Sequence, residues 1–261
     1  MCDARAAINR EVRAGRSARA LPVESKRSPH HFAHTLKIIA VDTSTEYCSA
    51  ALLCDGEITA RETHAGQSHS QLLLGMVDEL LRARSLRIGE LDAIAYGEGP
   101  GSFTGLRIAC GVVQGLAFGA DLPVVGIGSL LAMAAGTTAP RVVCCVDARM
   151  GEVYHAAYEN DGTTWRERCA PSVCPPDSVP ALRGGGWLGC GSGFSVYHDV
   201  LCTRYRGALA QLEPDRYPNA REIAALAAPR FAANDTAQAE LASPVYVRDK
   251  VALRTDERAP R

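Results

Sequence analysis

The chain has 261 residues, 47% of them hydrophobic, and a formal net charge of −1. That length suits one large or two small domains with a real core. No window approaches the ~18 consecutive apolar residues of a membrane span, and the first residues lack the apolar stretch of a secretory signal.

Residues 1–35 carry seven Lys/Arg against three Asp/Glu. They read as a basic, disordered N-terminal extension; an RNA-touching tail or a targeting segment is the sharper alternative. Without them the body has a net charge of −5, which makes it a poor lone binder of nucleic acid.

The body opens with a strand, Leu36–Val41 (LKIIAV), then Cys48–Cys54 and Glu57–Thr63 across an Asp55-Gly56 turn. A helix is expected over Ser68–Arg82. Ser68 and Gln71 have the spacing of a capping box. Leu72, Leu73, Met76, Val77, Leu80 and Leu81 form its apolar stripe, and Asp78 and Arg82 stand four apart. Ala93–Tyr96 is a short strand. A glycine-rich loop then leads to a second helix, about Gly105–Gly119, and Val124–Ile127 is another strand. Strands alternating with helices indicate an α/β domain.

The pattern restarts at RVVCCVDARMGEVYHAAYENDG (141–162), which echoes LKIIAVDTSTEYCSAALLCDG (36–56). Each copy has an apolar strand ending at an aspartate (Asp42, Asp147), a polar turn, a second apolar strand and an Asp-Gly turn. This reads as a duplicated half. A Pro-rich loop (170–180), a strand within WLGCGSG (187–193), helices at Phe194–Tyr205 and Ala220–Ala233, and a charged tail follow.

The stretch GEGPGSFTGLRIACGVVQGLAFG (97–119) has the look of a nucleotide loop, but its spacing fails. Gly99 and Gly105 are six apart, with Leu106-Arg107 where a P-loop needs Lys-Ser/Thr, and G-x-G-x-x-G is missed by one residue. The first glycines shape a strand-to-helix turn. Gly111, Gly115 and Gly119 recur every four residues, so they line one helical face. Each costs the helix about 1 kcal/mol relative to Ala, which close approach of a neighbour offsets. The Asp-led turns are weak nucleotide candidates through Asp42, Ser44, Thr45 and Asp147; only the second contains a glycine, Gly151, four residues late.

Other chemistry has little support. The ten cysteines include adjacent Cys144 and Cys145, no CxxC pair, and Cys48, Cys110 and Cys145 in apolar runs. They read as buried thiols of a reducing compartment. Cys169 and Cys174 have no second ligand pair. His64 and His69 are five apart rather than the three or four of helical metal ligands, and no G-x-S-x-G elbow appears.

Five segments together resemble the TsaB family: DTSTEYCSAAL, HSQLLLGMVDELL, GPGSFTGLRIACGVVQGLAFG, DARMGEVYHAAY and PVYVRDKVA. The likeness runs from about Leu36 to Ala252. It implies two duplicated α/β domains of the actin/sugar-kinase/Hsp70 (ASKHA) kind, over 36–130 and 131–252, with a C-terminal helix that packs back on the first and a charged tail at 253–261. It implies a cytoplasmic, non-catalytic subunit in the synthesis of threonylcarbamoyladenosine in tRNA. Such a subunit pairs with TsaD, or with itself, through the two helices after the first hairpin, and TsaE joins the pair. ATP and metal then sit on the partner subunits, and tRNA is reached through the complex. TsaD carries an H-x-x-x-H metal pair; here His69 is followed four residues on by Leu73, which departs from that pair. Candidate contact residues are Leu72, Leu73, Met76, Leu80, Arg107, Cys110, Gly111, Val113, Gln114 and Gly115; internal core is the competing role for each. An ATP-binding kinase or ATPase of the same fold, or a metallopeptidase, are the alternatives.

Overall fold

The computed structural model describes residues 35–248. The expected N-terminal extension, Thr35 apart, and the charged tail lie outside the described residues. Ten strands and six α-helices are present among those described. They are β1 (Ile38–Asp42), β2 (Tyr47–Cys54), β3 (Glu57–His64), α1 (His69–Ala83), β4 (Ala93–Gly99), α2 (Phe103–Ala120), β5 (Val124–Gly128) and α3 (Ser129–Ala135). Then come β6 (Arg141–Asp147), β7 (Val153–Asn160), β8 (Trp165–Cys174), β9 (Trp187–Cys190), α4 (Gly193–Val196), α5 (His198–Arg204), β10 (Leu209–Glu213) and α6 (Ala220–Ala232).

The strands form two five-stranded mixed sheets, ordered β3-β2-β1-β4-β5 and β8-β7-β6-β9-β10. In each, the first strand pairs antiparallel with the second and parallel with the fourth. The two sheets therefore share strand order and pairing senses. The Asp55-Gly56 turn has both residues at positive φ, 55° and 77°, the requirement of the tight hairpin its sequence announced.

Period-2 alternation assigns the faces. Ile39 and Val41 pack with Leu73, Val77 and Leu80 of α1 and with Ala109, Val113 and Ala117 of α2. Ile38 and Ala40 pack on the opposite face with Ile223, Ala224 and Ala227 of α6. The C-terminal helix thus lies on the first sheet. In the second sheet Val143 and Cys145 face Phe194, Leu201 and Tyr205, while Val142, Cys144 and Val146 face α3. Helix α3 serves both sheets: Ala132 joins the core of the first, and Leu130, Met133 and Ala134 join that of the second. Five of its seven residues are buried, on two sides, and a helix packed from both sides carries no amphipathic stripe, so its sequence gives no period to read.

Several expectations need correction. Ser68 does not cap α1; its backbone lies at φ −94°, ψ 15° rather than extended, and its side chain makes no capping bond. A turn sets the entry instead, with Ser68 N donating to the Ala65 carbonyl at 2.8 Å. The helix expected over 194–205 breaks into α4 and α5 at Tyr197. The Pro-rich loop overlaps β8, whose Pro171 sits on an edge strand, where a missing N–H is tolerated. The Asp78–Arg82 pair forms at 3.0 Å but is solvent-exposed, so it adds little.

Candidate functional site

Helix α2 starts directly after the glycine loop. Ser102 Oγ accepts from Gly105 N at 3.3 Å, and Asp121 ends the helix in the left-handed region at φ 52°. Its length and composition also satisfy those of a membrane span. Its buried sector, Leu106, Ala109, Cys110, Val113 and Ala117, packs on the first sheet as a core helix does.

The opposite sector is open. Gly111, Gly115 and Gly119 are exposed, and a Cβ added at any of them would meet nothing within 4 Å among the described residues. The neighbour expected from their spacing is therefore not supplied within the described residues. Phe118, three residues after Gly115 and seven after Gly111, is 72% exposed, and Leu74 on α1 is 50% exposed. Leu72 and Met76 are half-buried against the core.

The structure divides the candidate contact residues. Leu73, Leu80, Cys110 and Val113 are core side chains of the chain itself, because their positions on the helical stripes point at the sheet. Arg107 is exposed but engaged: its guanidinium lies 3.8 Å over the Phe103 ring, and Nε donates to Tyr246 Oη at 3.0 Å. Gln114 donates from Nε2 to the Ala242 carbonyl at 2.8 Å. Both are held by a C-terminal strap. That strap continues with Val245 N donating to the Glu98 carbonyl at 2.6 Å and Arg248 pairing with Glu152 at 2.5 Å. Gly111, Gly115, Leu72 and Met76 remain at the surface. Leu74 and Phe118 escaped the sequence reading because both fall off the buried stripes.

The aspartate turn after β1 lies under the glycine loop. Asp42 is 1% exposed, Ser44 2% and Thr45 8%. Ser44 donates from N and Oγ to Asp42 Oδ1 at 3.0 and 2.8 Å, while Oδ2 is buried with no hydrogen-bond partner among the described residues. Burial outweighs the Ser44 hydrogen bonds and pushes the Asp42 carboxyl up to about 7. Three loop glycines permit this closure. A Cβ on Gly97 would collide with Asp42 Oδ2, one on Gly101 with the Ser44 carbonyl, and one on Gly105 with the Thr43 carbonyl. Ser102 N donates to the Ser44 carbonyl at 2.7 Å. His69 is spent on the same turn, its Nε2 lying 2.9 Å from the Thr45 carbonyl.

The second aspartate turn is built differently. Asp147 Oδ1 accepts from Arg149 N at 2.9 Å and from Tyr197 Oη at 3.3 Å, and Oδ2 pairs with the Arg149 guanidinium at 3.1 Å. Arg149, Met150 and Gly151 all have positive φ. Among the described residues no cluster of three His, Cys, Asp or Glu stands ready to hold a metal.

With this geometry in view, comparison with known proteins places the chain. Residues 61–255 match the family model described as TsaD: tRNA N6-adenosine threonylcarbamoyltransferase. Within that class the likeness sharpens. The chain is 37% identical over 225 residues to the tRNA threonylcarbamoyladenosine biosynthesis protein TsaB of Escherichia coli, covering 83% of this chain and 96% of that protein. It is 37% identical over 229 residues to the Haemophilus influenzae TsaB, covering 83% and 95%. The solved structure of YeaZ from Pseudomonas aeruginosa superposes with a TM-score of 0.74 at 37% identity, over 81% of this chain and 99% of that one. The chain belongs to the TsaB family.

Proposed function

We propose that the chain is a non-catalytic subunit in the synthesis of threonylcarbamoyladenosine in tRNA. In this reading it binds a TsaD-type transferase through the open face of α1 and α2. It holds that partner in a competent state during transfer of the threonylcarbamoyl group to N6 of the adenosine beside the anticodon. TsaE joins the pair; ATP and metal belong to the partner subunits; the setting is the cytoplasm. The fold reading is a duplicated ASKHA pair over 36–130 and 131–252, supported by the shared strand order of the two sheets.

One observation carries the reading. Gly111, Gly115 and Gly119 leave a stripe of helix surface without side chains and, among the described residues, without a neighbour, beside exposed Phe118. Three helical glycines cost about 3 kcal/mol in the free chain, and a partner backbone lying close against them restores that loss. A stable interface buries about 800 Å² per partner, more than this stripe alone, so α1 with Leu72, Leu74 and Met76 belongs to it.

The test is Gly115→Leu. A Cβ at position 115 meets nothing within 4 Å among the described residues, so folding should be retained while the close approach is blocked. Co-purification with TsaD should fall. Unimpaired binding would count against this face. A second copy of the chain is the competing occupant, and sedimentation of the isolated protein separates the two.

The alternative, an ATP-binding kinase or ATPase, needs space at the Asp42 turn. The closure of that turn by Gly97, Gly101 and Gly105 speaks for the non-catalytic reading. Calorimetry showing tight binding of ATP with Mg²⁺ to the isolated chain would reverse the choice.

A further inference from the structure

Away from the helix face, a nucleophile, a base and a carboxylate meet on α5. Cys202 Sγ lies 3.6 Å from His198 Nε2, and His198 Nδ1 lies 3.1 Å from Asp199 Oδ1. The helical spacing of four brings cysteine and histidine to one face, and the adjacent aspartate turns the ring. A thiol in reach of a base that a third group orients is the arrangement of an activated nucleophile. Of the nine free cysteines among the described residues, six are buried. Cys169, Cys174 and Cys202 are partly accessible, and Cys202 has His198 within reach of its sulfur.

We propose that Cys202 is a thiol-modification site, at which a low-molecular-weight disulfide forms a mixed disulfide with the protein. Neither the groove beside Arg141 nor that beside Arg216 reaches the cluster, and no enclosing cavity is invoked. A small diffusible disulfide needs none. The His198 side chain is 60% exposed and that of Asp199 fully so, which leaves the approach open.

His198 Nε2 takes the Cys202 proton. The sulfur attacks one sulfur of the disulfide, a new S–S bond forms, the old one breaks, and the leaving thiolate is reprotonated, by His198 or by water. Cys202 is oxidised and half of the small disulfide is reduced. Partial burial and the Asp199 charge raise the thiol's pKa, so the reaction relies on the base near neutral pH. Of the elements packed against α5, α4 carries no titratable group, and the Pro176–Ser178 turn carries Asp177, which accepts from the Ser178 hydroxyl at 2.9 Å. Arg204, at the end of α5, donates to the Val179 carbonyl.

The experiment uses the full chain with Cys2, which lies outside the described residues, replaced by Ser. Oxidised glutathione is added at pH 7.5 and the modified peptides are mapped by mass spectrometry over time. Cys202 should be modified first, ahead of Cys169 and Cys174. His198→Gln should slow it by about fivefold or more, with an unchanged melting temperature. Raising the pH above the thiol's own pKa should close that gap, because the thiolate then forms without a base; a purely structural role for His198 would leave the gap at every pH. Equal or faster modification of Cys169 or Cys174, no effect of His198→Gln, or a gap that persists at high pH would each overturn the proposal.

Discussion

Thr43 Oγ1 donates to the Gly105 carbonyl at 2.7 Å across 62 residues of sequence. In the other direction, the Thr43 carbonyl occupies the space where a Gly105 side chain would begin. This contact locks the turn after β1 against the start of α2 and fixes where the open helix face is presented.

Two glycine substitutions should therefore move stability in opposite directions. Gly105→Ala drives a methyl into backbone and should destabilise by about 1–3 kcal/mol. Gly111→Ala enters open space and should stabilise the free chain by up to about 1 kcal/mol while weakening partner binding. Thermal or urea unfolding of both variants checks the signs; equal shifts would contradict the packing described.

Asp42 gives a pH signature. Its carboxyl titrates near 7 when folded, above its ordinary value of 3.8. The folded state thus holds the proton more tightly than the unfolded one. The stabilisation from this group is full below pH ~4 and is lost as pH rises through ~7. Between pH 5 and 8 the wild-type urea midpoint should fall relative to that of Asp42→Asn. Parallel pH profiles for the two proteins would show that Asp42 is not held neutral.

Adjacent leucines on α1 separate fold from surface. Leu73 is fully buried and Leu74 half-exposed. Leu73→Ala should cost about 2–5 kcal/mol of stability. Leu74→Ala should stay within about 0.5 kcal/mol of wild type and reduce binding of the partner. The comparison needs one unfolding curve and one pull-down per variant.

The strap offers a local readout. The Val245 amide is protected by the Glu98 carbonyl, and the strap's end is anchored by Arg248 on Glu152. Arg248→Ala removes that anchor. Hydrogen exchange at Val245 should accelerate by about tenfold or more, the equivalent of ~1.4 kcal/mol of local opening, with little change in β1. An unaltered Val245 rate would mean that Gln114 on the Ala242 carbonyl and Tyr96, whose Oη accepts from Ser243 N at 3.1 Å, hold the strap without it.

Much of this was legible in the chain itself. The alternation of Ile38–Val41, the Asp55-Gly56 turn and the leucine stripe of α1 each bury one face, so local periodicity fixes them. The echo between 36–56 and 141–162 falls on the opening hairpins of two sheets that share a strand order. Glycine spacing at 111, 115 and 119 identified an unusual helix face.

Other features rest on contacts between distant residues, which no local pattern encodes. Helix α3 is buried from both sides and shows no stripe. Gly97, Gly101 and Gly105 are glycines because a turn more than fifty residues earlier lies against them. Arg107 and Gln114 look like free interface side chains until the strap at Ala242–Arg248 is seen to hold them. Sequence by itself determined which residues turn inward, because period and burial are local. Which of the outward residues are left unpartnered was decided only when the strap and both sheets came together in three dimensions.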